Sequence, residues 1–491
     1  MVDGVVKTYG CFTADVDRAA AGLAACGVLP GDTVAIVMPN AFDWYIVFWA
    51  AVQCGARPVP LDPQTGSWEL RQLFSLMHFR VCCIVGSYRA NPLCKNVAEL
   101  IIELEPDVRP RIFLMDDDNP EAPFLSRQVL MEGTAKAASE YGGGDSPPGE
   151  LLMYACTSGT TGNPKIVAVE HAGFCRSQYD MANYLQLGPE DAMFLGMPLY
   201  HQGGFGMGVQ ALLAGGTACY QSRFDPEQFL KTVAEHRVTV VQLTATLAKI
   251  LLSHPGFTRE AVALVRLAYF AGELLPDEVA ERFYRDYGIR VVNIIGSSET
   301  GTMAVWDSLY DTGCGVSDFR PLDFTGIVLV DENENEPPDG EQGELLVRTD
   351  AVLPEYFANP DLTKETIVVR NGKRWFYTGD CGVRLPDGRI RLIGRKKRII
   401  KRGANLVYPE EVEAFLLTHP LLHAVAVTGE PDEVCGEKIV ARVQPAEGAE
   451  VARGALHRFC VGKLSSYKIP DEFIVVKELP KDIGKIQFKY L

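Results

Sequence analysis

Nothing in this chain is long and apolar enough to cross a bilayer. The most apolar stretch, Tyr45 to Val52, falls far short of the ~20 residues a membrane helix needs, and it reads as a buried helix. Met1 to Gly10 lacks the basic start and apolar run of a secretory signal. The 13 cysteines form no C-x-x-C pair and no Cys/His spacing of a zinc site, so they are expected to be reduced thiols of a soluble protein in the cytoplasm. Basic residues are in deficit, 47 against 63 acidic for a net charge of −16, so a nucleic-acid backbone has no general reason to bind. The Walker spacing G-x-x-x-x-G-K-[ST] is also missing, as is G-x-G-x-x-G.

What is there begins with size. At 491 residues, 47% of them hydrophobic, the chain can bury more than one core, and two or more domains are expected. From Asp15 onward, helical and strand-like runs alternate: a helix over 15–26, a strand over 33–38, a helix over 40–56, then strands over 81–85 and 112–115. Residues 133–150, rich in Gly, Ser and Pro, read as a linker. Beyond them, strands are expected over 194–199, 219–220, 238–243, 267–270 and 291–295, with helices over 227–235, 245–253 and 277–287 between them. Such alternation predicts an α/β fold of parallel, helix-covered sheets. After Phe324 short alternating runs predict a small antiparallel β unit, and the last ninety or so residues read as a small α+β domain.

The densest chemistry lies in Tyr154 to Lys165, Y-A-C-T-S-G-T-T-G-N-P-K, between two strand-like runs. Thr157, Ser158, Thr160 and Thr161 offer hydroxyl donors, Gly159 and Gly162 let backbone N–H groups approach an anion, and Lys165 adds a charge. Four further blocks follow in order: Pro198-Leu199-Tyr200-His201, Gly296-Ser297-Ser298-Glu299-Thr300-Gly301, Tyr377-Thr378-Gly379-Asp380, and Leu479 to Ile486 with Lys485. A Ser/Thr/Gly turn, a lone His or a terminal Lys would each mean little. Together, in this order over nearly the whole chain, they resemble the adenylate-forming superfamily of acyl- and aryl-CoA synthetases, luciferases and peptide-synthetase adenylation domains.

The resemblance implies a domain of residues 1–394 that binds ATP and a carboxylate, a mobile domain of residues 395–491, and a hinge at Lys397. It implies that Thr157 to Gly162 and Lys165 hold phosphate, and that Ile295, Gly296, Ser297 and Ser298 meet the nucleotide, with Ile295 standing where the family has an aromatic ring. Asp380 and Arg395 would hold the ribose. Glu299 and Thr160 would meet Mg²⁺, a hard ion that wants oxygen ligands. Lys485 would join His201, Thr160 and Glu299 in catalysis, one residue closer to Pro480 than is usual. His201, Gln202, Phe205, Gln242, Ala271 and Gly272 would line the acid's pocket, with Gln242 reading a substituent. No Asp stands in Phe205-Gly206-Met207-Gly208 to anchor an α-amine, so an α-amino acid is disfavoured, and the mostly apolar or small lining points to an aromatic or medium aliphatic acid. The implied reaction uses ATP to make an acyl-AMP and then transfers the acyl group to CoA or a carrier-protein pantetheine; an amine acceptor and, remotely, a phosphotransferase are the alternatives. Ala404 replaces a glycine that lines the family's pantetheine tunnel, and no carrier domain is expected after Leu491.

Overall fold

A computed structural model describes residues 1–133, 149–157, 164–272, 275–331, 333–395, 400–403, 405–446, 449–479, 481–482 and 485–486; for 394, 395, 410, 414, 481, 482, 485 and 486 the backbone alone is described. Its first sheet has five strands in the order Arg57–Pro60, Thr33–Val37, Phe79–Ile84, Arg111–Leu114 and Phe124–Ser126. All neighbours run parallel, because each strand returns through a crossover, three of which contain the helices Phe42–Gln53, Ser67–Leu76 and Leu93–Glu103. Thr33–Val37 is buried along its whole length, which explains why it reads as a continuous apolar run. The first helix starts before its apolar stripe, at Tyr9, since Thr8 caps it by accepting from the Cys11 N–H at 3.2 Å.

The second sheet has twelve strands. Its parallel half runs Thr217–Tyr220, Ala192–Leu195, Val240–Leu243, Leu267–Phe270 and Arg290–Ser297. At Ser297 the chain reverses into Gly301–Asp307, and the rest of the sheet continues antiparallel through Asp318–Pro321, Ile390–Arg395, Lys373–Arg384, Gln342–Arg348 and Gly326–Val330. The antiparallel strands expected after Phe324 therefore form, yet they extend the main sheet instead of standing apart. The short strand Asp318–Pro321 makes that join, pairing with Gly301–Asp307 on one side and Ile390–Arg395 on the other.

The last part of the chain folds around its own apolar core, with Val412, Phe415, Val427, Ile439 and Leu456 buried together. Its five-stranded sheet carries the hairpin Ile400–Arg402/Asn405–Val407 on one edge. It docks on the helix Ser67–Leu76: Trp68 packs edge-on against Phe415 at 5.3 Å between ring centroids, and Lys468 Nζ bonds both Glu69 (2.5 Å) and Glu411 (2.7 Å). Among the described residues no helix is long and apolar enough to cross a membrane.

Candidate active site

The ends of the phosphate-loop segment sit on the antiparallel strands Leu151–Thr157 and Lys165–Glu170, whose register sets Thr157 opposite Lys165. Both residues line a cavity of about 900 Å³. Thr157 Oγ1 is buried there without a hydrogen-bond partner. A lone buried hydroxyl is costly, and a phosphate oxygen would accept its proton. Ser158, Gly159, Thr160, Thr161 and Gly162 lie outside the described residues.

A second wall is the hairpin tip after Arg290–Ser297. A bulge between Ile295 and Gly296 opens it, and a Cβ on Gly296 would stand 2.5 Å from the Gly301 carbonyl oxygen, so only glycine fits. The Ser297 and Thr300 hydroxyls share a 3.0 Å bond, and the Leu353 N–H donates to the Glu299 carbonyl at 2.8 Å. Ile295, Gly296, Ser297, Ser298 and Glu299 all line the cavity. The Tyr356 hydroxyl donates to Glu299 Oε1 at 3.0 Å; burial and the nearby carboxylate raise the tyrosine's pKa and keep that proton in place. Among the described residues no three His, Cys, Asp or Glu side chains gather as a metal cage. A lone carboxylate suits an ion that keeps water and phosphate ligands, as Mg²⁺ does.

On the third side, the Gly379 N–H donates to Glu344 Oε1 at 3.2 Å and the Asp380 N–H to Thr378 Oγ1 at 3.0 Å, and these bonds hold the backbone at Asp380. Asp380 lines the cavity, with the backbone of Arg395 directly opposite it in the sheet. A carboxylate accepting from two hydroxyls is what ribose recognition needs.

His201 closes the fourth side. The Leu199 N–H donates to Asn40 Oδ1 at 2.8 Å, and Asn40 Nδ2 donates to the Gln221 carbonyl at 3.1 Å, which pins the loop that carries the imidazole. His201 lines the cavity, and burial pushes its pKa down to about 4, so it is neutral at pH 7. The helix Gln202–Leu213 then presents Gly203, Gly206, Met207 and Gln210 to the cavity, a spacing of three, one and three residues that makes one face.

Of the six pocket residues expected from sequence, His201, Gln202, Ala271 and Gly272 line the cavity, and Phe205 and Gln242 do not. Phe205 turns to the opposite face, into rings of Phe48 (4.3 Å) and Phe174 (5.5 Å). Gln242 is fully buried and spends its amide N–H on the Gly203 carbonyl at 3.0 Å, so it braces the helix. Lining residues that sequence reasoning missed are Gln178, Met197, Gln210, Tyr269, Asn293, Thr302 and Tyr356. Helical spacing from Gly203 could have found Gln210; Gln178 comes from another helix, His171–Tyr184, and no local signal marks it. Lys397 and Ala404 lie outside the described residues, and for Lys485 only its place in a two-residue strand is described.

A fold with a cavity at the carboxyl ends of a parallel sheet, lined by phosphate-loop ends, a carboxylate tip and a ribose-type aspartate, defines a nucleotide-using enzyme of the open α/β class. Residues 1–357 match the AMP-binding enzyme family and residues 411–484 match the AMP-binding enzyme C-terminal domain. The chain belongs to the AMP-binding enzymes, the adenylate-forming superfamily, and is an AMP-forming ligase. It is 29% identical to the sulfoacetate–CoA ligase of Cupriavidus necator over 486 residues, covering 99% of this chain and 92% of the relative. It is 29% identical to a feruloyl-CoA synthase of Amycolatopsis over 479 residues, covering 97% and 91%. In structure it resembles the amide bond synthetase McbA of Marinactinospora thermotolerans, with a TM-score of 0.83 at 23% identity over 100% of this chain and 95% of that one.

Proposed function

We propose that this enzyme joins an aromatic or medium aliphatic carboxylic acid to the thiol of CoA or of a carrier-protein pantetheine. The carboxylate oxygen attacks the α-phosphorus of ATP, the bond to the β-phosphate oxygen breaks, and pyrophosphate leaves. The thiol sulfur then attacks the acyl carbonyl, loses its proton, and AMP leaves. The observation that carries this reading is the convergence of Thr157, Lys165, Glu299, Asp380 and His201 on one cavity. Glu299 and Thr160 would hold Mg²⁺, which supplies charge neutralisation to the phosphates when bound. The family resemblance gives His201 the role of a gate between acid and nucleotide, and a neutral imidazole there does not trap the carboxylate as an ion pair.

Residues 1–394 form the binding domain in this reading. Residues 395–491 turn about Lys397 between the two half-reactions, taking Lys485 in and out. The CoA-ligase relatives support a thiol acceptor, whereas the likeness to an amide bond synthetase supports an amine as the second reading. A panel of carboxylates scored for products tests the whole: AMP and pyrophosphate are expected, and ADP would replace this reading with a phosphotransferase. Lys485→Ala is expected to cut adenylate formation by at least a hundredfold while ATP binding persists, because its charge acts chiefly as the transition state forms. Unchanged pyrophosphate release would remove Lys485 from the chemistry.

A further inference from the structure

We infer that the acid carries an uncharged hydrogen-bond donor, a hydroxyl or a neutral N–H, at the end away from its carboxylate, and that Gln210 with Gln178 reads it. The inference rests on the adenylation reading for where the carboxylate sits, beside His201. Gln210 lies nine residues further along the helix that His201 begins, ~13 Å away at the rise of an α-helix. This is the far end of the acid's path, too distant for a two- or three-carbon acid to fill.

That end is open because Gly206 has no side chain; a Cβ there would stand 2.8 Å from Gln178 Oε1. It is polar because Gln210 Nε2 donates to Gln178 Oε1 at 2.9 Å, and the Tyr269 hydroxyl lies beside Gln210 and Thr302. Both glutamines are more than nine-tenths buried, with Gln210 only 2% exposed. Gln210 Oε1 nevertheless has no partner. An amide carbonyl buried without a donor costs free energy that an apolar side chain would avoid, and a ligand O–H or N–H removes that cost. The amide's last torsion is broad, so turning its oxygen to a ligand is cheap. None of Gln178, Gln210, Tyr269 and Thr302 is charged at neutral pH, so a second carboxylate or an ammonium on the acid would find no counter-ion among them.

Matched acids test this: 3-(4-hydroxyphenyl)propanoate against 3-phenylpropanoate, and 8-hydroxyoctanoate against octanoate. Pyrophosphate release gives kcat/KM, and calorimetric titration of each acid into the enzyme gives affinity without any turnover. In one pair or both, the hydroxylated acid is expected to be favoured more than tenfold, and Gln210→Leu is expected to bring that ratio close to one. Equal or reversed preference in both pairs by both measurements overturns the inference, using the unmutated enzyme alone if the variant fails to fold. A clear binding preference with no pyrophosphate release would leave the inference standing and retire the adenylation reading instead.

Discussion

His201 and Asp62 both line a second, smaller pocket of about 70 Å³ and are perturbed in opposite senses. Burial lowers the His201 pKa to about 4, below the ordinary 6.5, so the unfolded chain binds its proton more readily. Its contribution to stability is complete above pH 6.5 and is lost as the pH falls toward 4. Burial raises the Asp62 carboxyl to about 6; its backbone bond from the Gln64 N–H opposes this, but Oδ2 is enclosed without a partner. Here the folded chain holds the proton more tightly, so Asp62 weakens the fold as the pH rises from 3.8 through 6. Asp62→Asn should therefore stabilise the protein by on the order of 2 kcal/mol at pH 7.5, with the gain gone by pH 4; thermal melts across that range decide it, and a gain independent of pH would mean packing is responsible. His201→Asn should flatten the loss of stability between pH 6.5 and 4. At this scale the sequence made His201 legible through its neighbours Pro198 to Tyr200. Asp62 carried no such mark, because its perturbation comes from walls contributed by distant segments.

In the helix Gln202–Leu213, residues that are neighbours in sequence end on opposite faces. The family resemblance implied a pocket that includes Phe205 along with His201 and Gln202. A helix turns about 100° per residue, so position 205 faces away from 203, 206 and 210. The glycines differ in what they meet. At Gly206 a Cβ would press on the end of a flexible glutamine, whereas at Gly208 it would stand 1.8 Å from the Tyr45 hydroxyl and 2.2 Å from that of Tyr220, which are themselves hydrogen-bonded at the core. Gly206→Ala is thus expected to be near neutral in stability, its lost space offset by up to about 1 kcal/mol of helix propensity, while kcat/KM for the acid falls at least tenfold. Gly208→Ala should lower the melting temperature clearly. Equal destabilisation of the two variants would show that the cavity face is wrongly placed.

At the scale of the molecule, alternation of strands and helices made the parallel sheets legible, because each strand's apolar run and each crossover is local. The join of the antiparallel strands to the main sheet was not, since hydropathy carries no record of which edges meet. Nor was the contact between the two parts of the chain, where Lys468 is buried between Glu69 and Glu411. Burial alone would lower the lysine's pKa; Glu411 and Glu69 beside it hold it well above the ordinary value, and Ser465 adds two donors to Glu69. Removing the cation would leave two carboxylates facing each other in a dry contact, a large penalty that falls on docking and leaves each separate core intact. In this docked arrangement the hairpin residues Lys401, Asn405 and Leu406 line the cavity, and they flank in sequence Ala404, the one position that the family resemblance puts on the pantetheine tunnel. Lys468→Met should therefore slow consumption of preformed acyl-AMP by CoA, at least tenfold, while acyl-AMP formation from acid and ATP is spared or quickened. Single-turnover measurements of the two half-reactions separate the outcomes. An equal fall in both would mean that the lysine merely stabilises the fold, and the docked arrangement would lose its assignment to thiol transfer.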